Sequence, residues 1–146
     1  MMAASGADGK TILFVEDDSL FAAATTAALA DDGYAVDRVP SGRMALACLL
    51  RWHPDLLLLD LGLPDIDGLE VCRLARRRDP NLPIIALTAQ TDIQNVVAGF
   101  AEGADDYIRK PVDLEVLLAR IGAVLRAGDR DDGYNTNRPR GARERL

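Results

Sequence analysis

Acidic residues, one hydroxyl and one lysine stand at the ends of short apolar runs in the sequence. Glu16 and Asp17 follow the first such run. Asp60, Thr88 and Lys110 stand at the ends of three later runs. Carboxylates that crowd together at neutral pH repel one another, and a hard divalent cation with oxygen ligands relieves that repulsion. Mg²⁺, or Mn²⁺ in its place, suits such a cluster because it accepts one or two carboxylates and a backbone carbonyl and retains water.

The same residues include the protein groups that phosphoryl transfer requires: a carboxylate nucleophile, a cation and a hydrogen-bond donor for the phosphoryl oxygens. Asp60 is the candidate nucleophile, and Lys110 and Thr88 are the candidate cation and donor. Any one such residue at a strand end is more often a helix cap or a solvated charge. We expect Asp18, directly after the acidic pair, to be such a cap. The joint placement at four strand ends favours a phosphoryl-transfer site.

The apolar runs that carry these residues predict β-strands. Near-continuous apolarity is typical of strands that a parallel sheet buries on both faces. A more alternating run, Tyr34 to Val39, predicts an edge strand. The other predicted strands are Thr11 to Glu16, Leu56 to Asp60, Ile84 to Thr88 and Tyr107 to Lys110.

Helical patterns with start and stop signals lie between and after these strands. Polar residues that can cap a first turn precede them, and Gly or Pro follows several of them. The first predicted helix starts with Asp18 or Ser19 as its N-cap, runs to Asp32 and stops at Gly33. The others run from Ser41, from near Gly68 to before Pro80, from Thr91 to Gly103, and from Asp113.

Five strands alternating with five helices predict an α/β fold with a doubly wound, parallel sheet. Such sheets bind ligands outside the carboxyl ends of their strands, where the candidate residues stand. We expect one domain over residues 10–127 and an N-terminal tail over 1–9. Residues 128–146 predict a flexible tail or linker, because they offer almost nothing to bury.

The composition excludes several classes of protein. With 146 residues, 49% of them hydrophobic, the chain can form one globular domain with a substantial core. Its formal charge of −6 opposes direct binding of a phosphate backbone by the folded part. No apolar run approaches the ~20 residues that span a bilayer, so we expect a cytoplasmic protein without membrane contact.

Four segments together resemble the receiver domain of two-component response regulators, the CheY-like superfamily. They read TILFVEDDSL, PDLLLLDLGLPDIDGLEV, PIIALTAQ and GADDYIRKPVD, and the resemblance extends from about Lys10 to Arg126. It implies a flavodoxin-like sheet with the strand order 2-1-3-4-5. It also implies that a sensor histidine kinase supplies a phosphoryl group to the domain.

The resemblance assigns a role to each candidate residue at the acidic cluster. Asp60 would be the phosphoacceptor and a metal ligand, and Asp17 a direct Mg²⁺ ligand. Glu16 would hold the metal through water, and Gly62 would offer its backbone carbonyl. A domain of this kind is a signalling phosphoacceptor that promotes its own phosphorylation and dephosphorylation, rather than an enzyme.

Three further residues receive roles from the resemblance. Thr88 would bond the phosphoryl group, Lys110 would pair with it, and Tyr107 would be an aromatic rotamer switch. The family also suggests a cis bond between Lys110 and Pro111, which a tight X-Pro turn permits.

The output surface resembles that of the winged-helix, OmpR/PhoB-type class, in which the fourth helix, fifth strand and fifth helix form a dimer interface. Asp106 and Arg120 match an ionic pair of that interface. Val96 and Val116 stand where the class usually has a basic and an acidic residue, so this face would be more apolar. We expect a possible homodimer on activation, transcription regulation if an effector domain follows, and nucleic-acid contact only through that domain.

Two other kinds of protein compete with this interpretation. A phosphohydrolase of the haloacid-dehalogenase type also uses an Asp nucleophile, Thr, Lys and Mg²⁺, but has a second Asp two positions after the nucleophile, where Gly62 stands here. A nucleotide- or flavin-binding module requires a glycine-rich phosphate loop after the first strand, where this chain has VEDDSL. Whether the chain is a stand-alone receiver or part of a larger regulator stays open.

Overall fold

The computed structural model describes residues 9–89, 97 and 102–132. Up to residue 88 of this part of the chain, strands and helices alternate as the sequence predicts. The strands are β1 (Thr11–Val15), β2 (Ala35–Val39), β3 (Leu56–Asp60), β4 (Ile84–Thr88) and β5 (Asp106–Arg109). The helices are α1 (Ser19–Asp31), α2 (Gly42–Arg51), α3 (Gly68–Arg78) and α4 (Leu114–Asp132).

The five strands form one sheet in the order β2-β1-β3-β4-β5. Every neighbouring pair is parallel. This confirms the predicted doubly wound α/β architecture and its strand order. Because all five strands run in the same direction, their carboxyl ends meet at one edge of the sheet.

Helices cover both faces of the sheet, and each face has its own apolar cluster. All five residues of β3 and of β4 are buried, as expected for strands that are covered on both sides. The cluster under α2 and α3 contains Leu13, Val15, Leu57, Leu59, Ala86, Val71 and Ala75. The cluster under α1 and α4 contains Ile12, Phe14, Leu56, Leu58, Leu87, Leu29, Leu117 and Ile121.

The predicted caps are present at the starts of the helices. The Asp18 carboxylate accepts hydrogen bonds from the N–H groups of Leu20 and Phe21, so Asp18 is the N-cap of α1. Ser41 accepts the N–H of Met44 at the start of α2. The chain leaves α1 through Gly33, whose φ of 99° favours glycine.

Four of the five predicted helices are thus observed. The remaining one, predicted from Thr91 to Gly103, lies mostly outside the described residues. Val97 and Glu102 are described within it, and both are helical.

The C-terminal helix is longer than the sequence pattern indicates. The apolar spacing stops near Arg126, but α4 continues to Asp132 and therefore enters the predicted tail over 128–146. No proline interrupts the chain there, so backbone hydrogen bonding can extend the helix beyond the apolar pattern. Residues 133–146 lie outside the described part.

A helix that spans a bilayer needs a run of about 20 predominantly apolar residues. None of the described helices combines the length and the apolarity that a membrane span requires.

Candidate functional site

The candidate residues lie together at the carboxyl edge of the sheet. Asp60 is the last residue of β3 and Thr88 the last of β4. Glu16 directly follows β1, and Lys110 directly follows β5. Because β1, β3, β4 and β5 are neighbours in one parallel sheet, four distant parts of the sequence converge on one site.

Three carboxylates form the centre of the site. One ligand oxygen from each of Glu16, Asp17 and Asp60 can be chosen so that all three atoms lie within 4.8 Å of one another. Glu16 and Asp60 are buried, and Asp17 is exposed. Hard oxygen donors at this separation fit a small divalent cation that retains water on its exposed side. This donor set therefore fits Mg²⁺, which the sequence had suggested for these residues.

Glu16 is the most deeply buried of these acids. Its Oε1 lies 3.1 Å from Lys110 Nζ, and its Oε2 accepts the backbone N–H of Asp18 at 3.1 Å. Burial raises the pKa of Glu16, the N–H of Asp18 opposes that rise, and the nearby Asp60 carboxylate adds to it. The hydrogen bonds to Asp18 and Lys110 are what permit a carboxylate at this position.

Lys110 connects two of the acids. Its ammonium lies 3.3 Å from Asp60 Oδ2, in addition to its contact with Glu16. Burial lowers the pKa of Lys110, but the attraction of Asp60 and Glu16 outweighs burial and leaves that pKa raised. Lys110 therefore carries its charge at neutral pH. The peptide bond to Pro111 is cis, as the resemblance suggested.

The loop after β3 holds the other oxygen of Asp60. The backbone N–H of Gly62 donates to Asp60 Oδ1 at 3.0 Å. One carboxylate oxygen is thus oriented by the loop and the other faces Lys110. The metal-binding role of the Gly62 carbonyl stays a prediction.

Asp65 secures this loop, a contact that the sequence analysis missed. Its carboxylate accepts the N–H groups of Gly42 at 3.0 Å and of Arg43 at 2.9 Å, in the first turn of α2. The Arg43 and Gly42 N–H groups lower the pKa of Asp65. Because Asp65 and Gly42 are distant in sequence, no local capping signal could reveal the contact.

A second missed contact reaches the acidic pair from the edge strand. The Arg38 side chain on β2 donates from Nε to the backbone carbonyl of Glu16 at 2.9 Å. It holds the chain at the point where β1 ends and the acidic pair begins. The alternation of apolar and polar residues in β2 did not distinguish Arg38 from an ordinary solvated charge.

Thr88 ends β4, the strand next to the one that carries Asp60, and Tyr107 lies in β5, paired with Ala86 of β4. Thr88 is buried, and its hydroxyl contacts the carbonyl of Ala89 at 3.5 Å, a long hydrogen bond. Tyr107 is 9% exposed, so its ring lies inward in this structure. Its role as a rotamer switch stays a prediction, and an inward turn on activation requires another state in which the ring lies outward.

The residues predicted for the output face are only partly described. Arg120 Nη1 lies 2.9 Å from Asp106 Oδ1, so this ionic pair forms within one chain. Val116 is 42% exposed. Val96 lies outside the described residues.

Comparison with known proteins places this geometry in one family. Residues 12–122 match the family model described as "Response regulator receiver domain". This match covers more than half of the chain, which therefore belongs to the response-regulator receiver family. The phosphohydrolase and the nucleotide-binding interpretations give way to this assignment.

Similar proteins support the same conclusion. The chain is 49% identical over 121 residues to "Transcriptional regulatory protein AfsQ1" of Streptomyces coelicolor, covering 83% of this chain and 53% of that one. It is 44% identical over 122 residues to "Response regulator MprA" of Mycolicibacterium vanbaalenii, covering 84% and 53%. The chain thus spans about half the length of these curated relatives. It is a receiver domain of the kind found in two-component response regulators.

Solved structures agree with the fold. A CheY-like response regulator receiver domain protein from Methanospirillum hungatei superposes with a TM-score of 0.81 at 32% identity, covering 84% of this chain and 98% of that one. Response regulator DrrB, an OmpR/PhoB homologue from Thermotoga maritima, gives a TM-score of 0.74 at 33% identity, covering 82% and 54%.

Proposed function

We propose that this chain accepts a phosphoryl group on Asp60 from the phosphohistidine of a sensor histidine kinase. The observation that carries this proposal is the setting of Asp60 at the sheet edge. Its Oδ2 lies 3.3 Å from Lys110 Nζ, and its carboxylate shares a three-acid cluster with Glu16 and Asp17. A nucleophilic carboxylate, a cation and a site for a metal therefore occur together.

In the proposed reaction, a carboxylate oxygen of Asp60 attacks phosphorus. The bond between phosphorus and the histidine nitrogen breaks, and that nitrogen keeps the bonding electrons and takes up a proton. The product is an acyl phosphate on Asp60 and a neutral histidine. The Gly62 N–H fixes one oxygen of the nucleophile, which reduces the cost of orienting it.

The acidic side chains and one backbone carbonyl provide the proposed metal ligands. Asp17, Asp60 and the Gly62 carbonyl would hold Mg²⁺, or Mn²⁺, directly, and Glu16 would hold it through water. A bound cation would neutralise charge on the phosphoryl oxygens as the reaction proceeds. The indirect role of Glu16 is favoured by its burial, the deepest among the three acids, together with its contacts with Lys110 and Asp18.

Lys110 and Thr88 would stabilise the phosphoryl group once it is in place. The Lys110 ammonium already faces Asp60, and the Thr88 hydroxyl lies at the end of the neighbouring strand. These groups would stabilise the phosphoryl group both when a small phosphodonor transfers it to Asp60 and when water attacks the acyl phosphate. The domain would thus promote its own phosphorylation and dephosphorylation.

The output is proposed to be a change of surface rather than a chemical product. Phosphorylation would draw Thr88 inward and bias Tyr107, and so reshape the face that contains Asp106, Arg120, Val96 and Val116. A homodimer formed through that face is part of the proposal.

The names of the similar proteins support a proposal for the cellular role of the domain. We propose a receiver over residues 10–127 with a tail or linker over 128–146, the first residues of which continue α4 to Asp132. AfsQ1 is named a transcriptional regulatory protein. We therefore propose a cytoplasmic role in transcription, with nucleic acid bound by an effector domain rather than by this receiver.

The experiment is incubation with acetyl phosphate, with and without Mg²⁺, followed by intact-mass analysis. We expect a single added phosphoryl group that requires the metal, and none in Asp60→Asn. Asp55→Asn is the matched control, because Asp55 stands just before β3 and bonds Thr11 away from the site. Equal labelling of Asp60→Asn, or repeated turnover on a panel of phosphate esters, would contradict the proposal.

A further inference from the structure

The ammonium of Lys110 has a third neighbour besides the two carboxylates. It lies 5.2 Å from the centroid of the Phe21 ring and above the ring face. This distance is within the ~6 Å at which a cation is attracted by the electron-rich face of an aromatic ring. The Phe21 ring carries no ionisable group, so the contact differs in kind from those with Glu16 and Asp60.

The Phe21 ring is itself held in place. It meets the ring of Phe14 edge to face, with centroids 6.2 Å apart and an angle of 76° between the planes. Phe14 is fully buried in β1, two residues before Glu16. The ring under Lys110 is therefore fixed by the same strand that presents the acidic pair.

Lys110 needs such a constraint. Its side chain is long and 32% exposed, and a free lysine loses considerable rotamer entropy when it is confined. Two carboxylates attract the ammonium at 3.1 and 3.3 Å, but electrostatic attraction alone leaves its direction of approach open. The ring adds a third contact, which restricts the ammonium to the position that faces Asp60.

We propose that Phe21 is a positioning residue for Lys110, holding the ammonium beside Asp60 through a cation–π contact. This inference rests on the proposed function, because the benefit of a fixed Lys110 is a faster phosphoryl transfer. Phe21 does not touch the reacting atoms and acts only through Lys110.

Two conservative variants separate this role from simple core filling. Phe21→Leu keeps an apolar side chain against Phe14 and removes the aromatic face, whereas Phe21→Tyr keeps the face. We expect labelling by acetyl phosphate with saturating Mg²⁺ to be about two- to fivefold slower in Phe21→Leu and close to wild type in Phe21→Tyr. A wild-type rate in Phe21→Leu, or an equal loss in both variants, would overturn the inference.

A double-mutant cycle tests the contact itself. The free energy of unfolding is measured for Phe21→Leu, Lys110→Met and the double variant. We expect the loss caused by Phe21→Leu to be smaller when Lys110 is already replaced. Strictly additive losses would mean that the ring only fills space, and would overturn the inference.

A third test uses the wild-type chain, so its outcome does not depend on whether a variant folds. Protons on the carbon that bears the Lys110 ammonium should resonate upfield in the NMR spectrum, because the ammonium next to them lies over the Phe21 ring face. Their appearance at ordinary lysine positions would overturn the inference. Failure of the proposed function is distinguishable, because it would appear as an unlabelled wild-type chain even where the upfield shift and the coupling are present.

Discussion

Lys110 Nζ lies 3.1 Å from Glu16 Oε1, so the residues that directly follow β5 and β1 form an ion pair across the site. The Glu16 side chain is 1% exposed, and it uses both oxygens in contacts within the protein. Asp17 is exposed and contributes an oxygen to the acidic cluster. The two members of the acidic pair therefore have different environments, which implies different roles at a metal.

Replacement of each member should reveal this difference. Asp17→Asn should weaken Mg²⁺ binding more than Glu16→Gln, because only the first removes a proposed direct ligand. An outer role predicts a loss of about tenfold for Glu16→Gln. Titration calorimetry is the appropriate measurement, since the only tryptophan, Trp52, is buried at the end of α2, away from the site. The reverse order would refute the ligand assignment.

The contribution of the loop after β3 to the free energy of unfolding should depend on pH, because Asp65 titrates. The N–H groups of Arg43 and Gly42 hold the pKa of Asp65 below its ordinary value of 3.8. A pKa that is lower in the folded state than in the unfolded state stabilises the fold at any pH above the unfolded-state pKa. That stabilisation is lost as the pH falls through the folded-state pKa. Asp65→Ala should therefore lower the free energy of unfolding at neutral pH, and the difference from wild type should shrink as pH falls below 3.8.

Urea denaturation over a series of pH values makes this measurement. Ser41→Ala is the matched control, because the Ser41 hydroxyl caps the same helix through Met44 and does not titrate. Its loss of stability should be nearly independent of pH. If the stability lost in Asp65→Ala were also independent of pH, the two backbone hydrogen bonds to the Asp65 carboxylate would not stabilise the fold in the way proposed.

A buried hydroxyl in α1 should be removable with a gain in stability. Thr25 is fully buried, and its Oγ1 has no hydrogen-bond partner in the described part of the chain. Thr25→Val keeps the shape and removes the unsatisfied group, so we expect the free energy of unfolding to rise by about 1 kcal/mol.

Thr11 offers the opposite case for comparison. Its hydroxyl bonds Asp55 at 3.0 Å, and Thr11→Val should destabilise the chain by about 1 kcal/mol because it removes that partner. Thermal or urea unfolding measures both variants. A loss of stability in Thr25→Val would show that its hydroxyl is satisfied in solution.

Activation should be visible as altered protection of the backbone. Beryllofluoride with Mg²⁺ mimics the phosphoryl group on Asp60, and we expect it to change hydrogen exchange between Thr88 and Tyr107, including residues 91–103. Sedimentation should show greater self-association than in the unloaded chain. Unchanged hydrogen exchange in a chain shown to carry beryllofluoride would refute the switch. Changed exchange with an unchanged molecular mass in sedimentation would refute only the homodimer.

Arg120 gives a specific variant for the dimer. Its pair with Asp106 is partly exposed, with side chains 47% and 25% accessible, so breaking it costs only about 0.2–1 kcal/mol of folding stability. Arg120→Ala should therefore fold but self-associate less after loading with beryllofluoride. Self-association equal to wild type would place the interface elsewhere.

The sequence predicted the sheet and the site residues through a simple physical relationship. Strands buried on both faces are apolar throughout, so a carboxylate or lysine at the end of such a run marks an edge of the sheet. Asp60 and Lys110 were found in this way, and the parallel order of the strands brings them together.

Contacts between distant segments were not predictable by this reasoning. The bond from the Gly42 N–H to Asp65 and the placement of Phe21 beneath Lys110 depend on how loops and helices pack, and neither has a local pattern. The extension of α4 to Asp132 was also missed, because the spacing of apolar residues predicts which part of a helix is buried and not where its backbone hydrogen bonding ends.

The most direct test of the central claim is chemical location of the phosphoryl group. The wild-type chain is phosphorylated with acetyl phosphate and Mg²⁺, and borohydride then reduces the acyl phosphate, which converts the modified aspartate to homoserine. Peptide mapping by mass spectrometry should find homoserine at position 60 and an unmodified residue at Asp17. Conversion at Asp17 or at any other carboxylate, with Asp60 intact, would contradict the account.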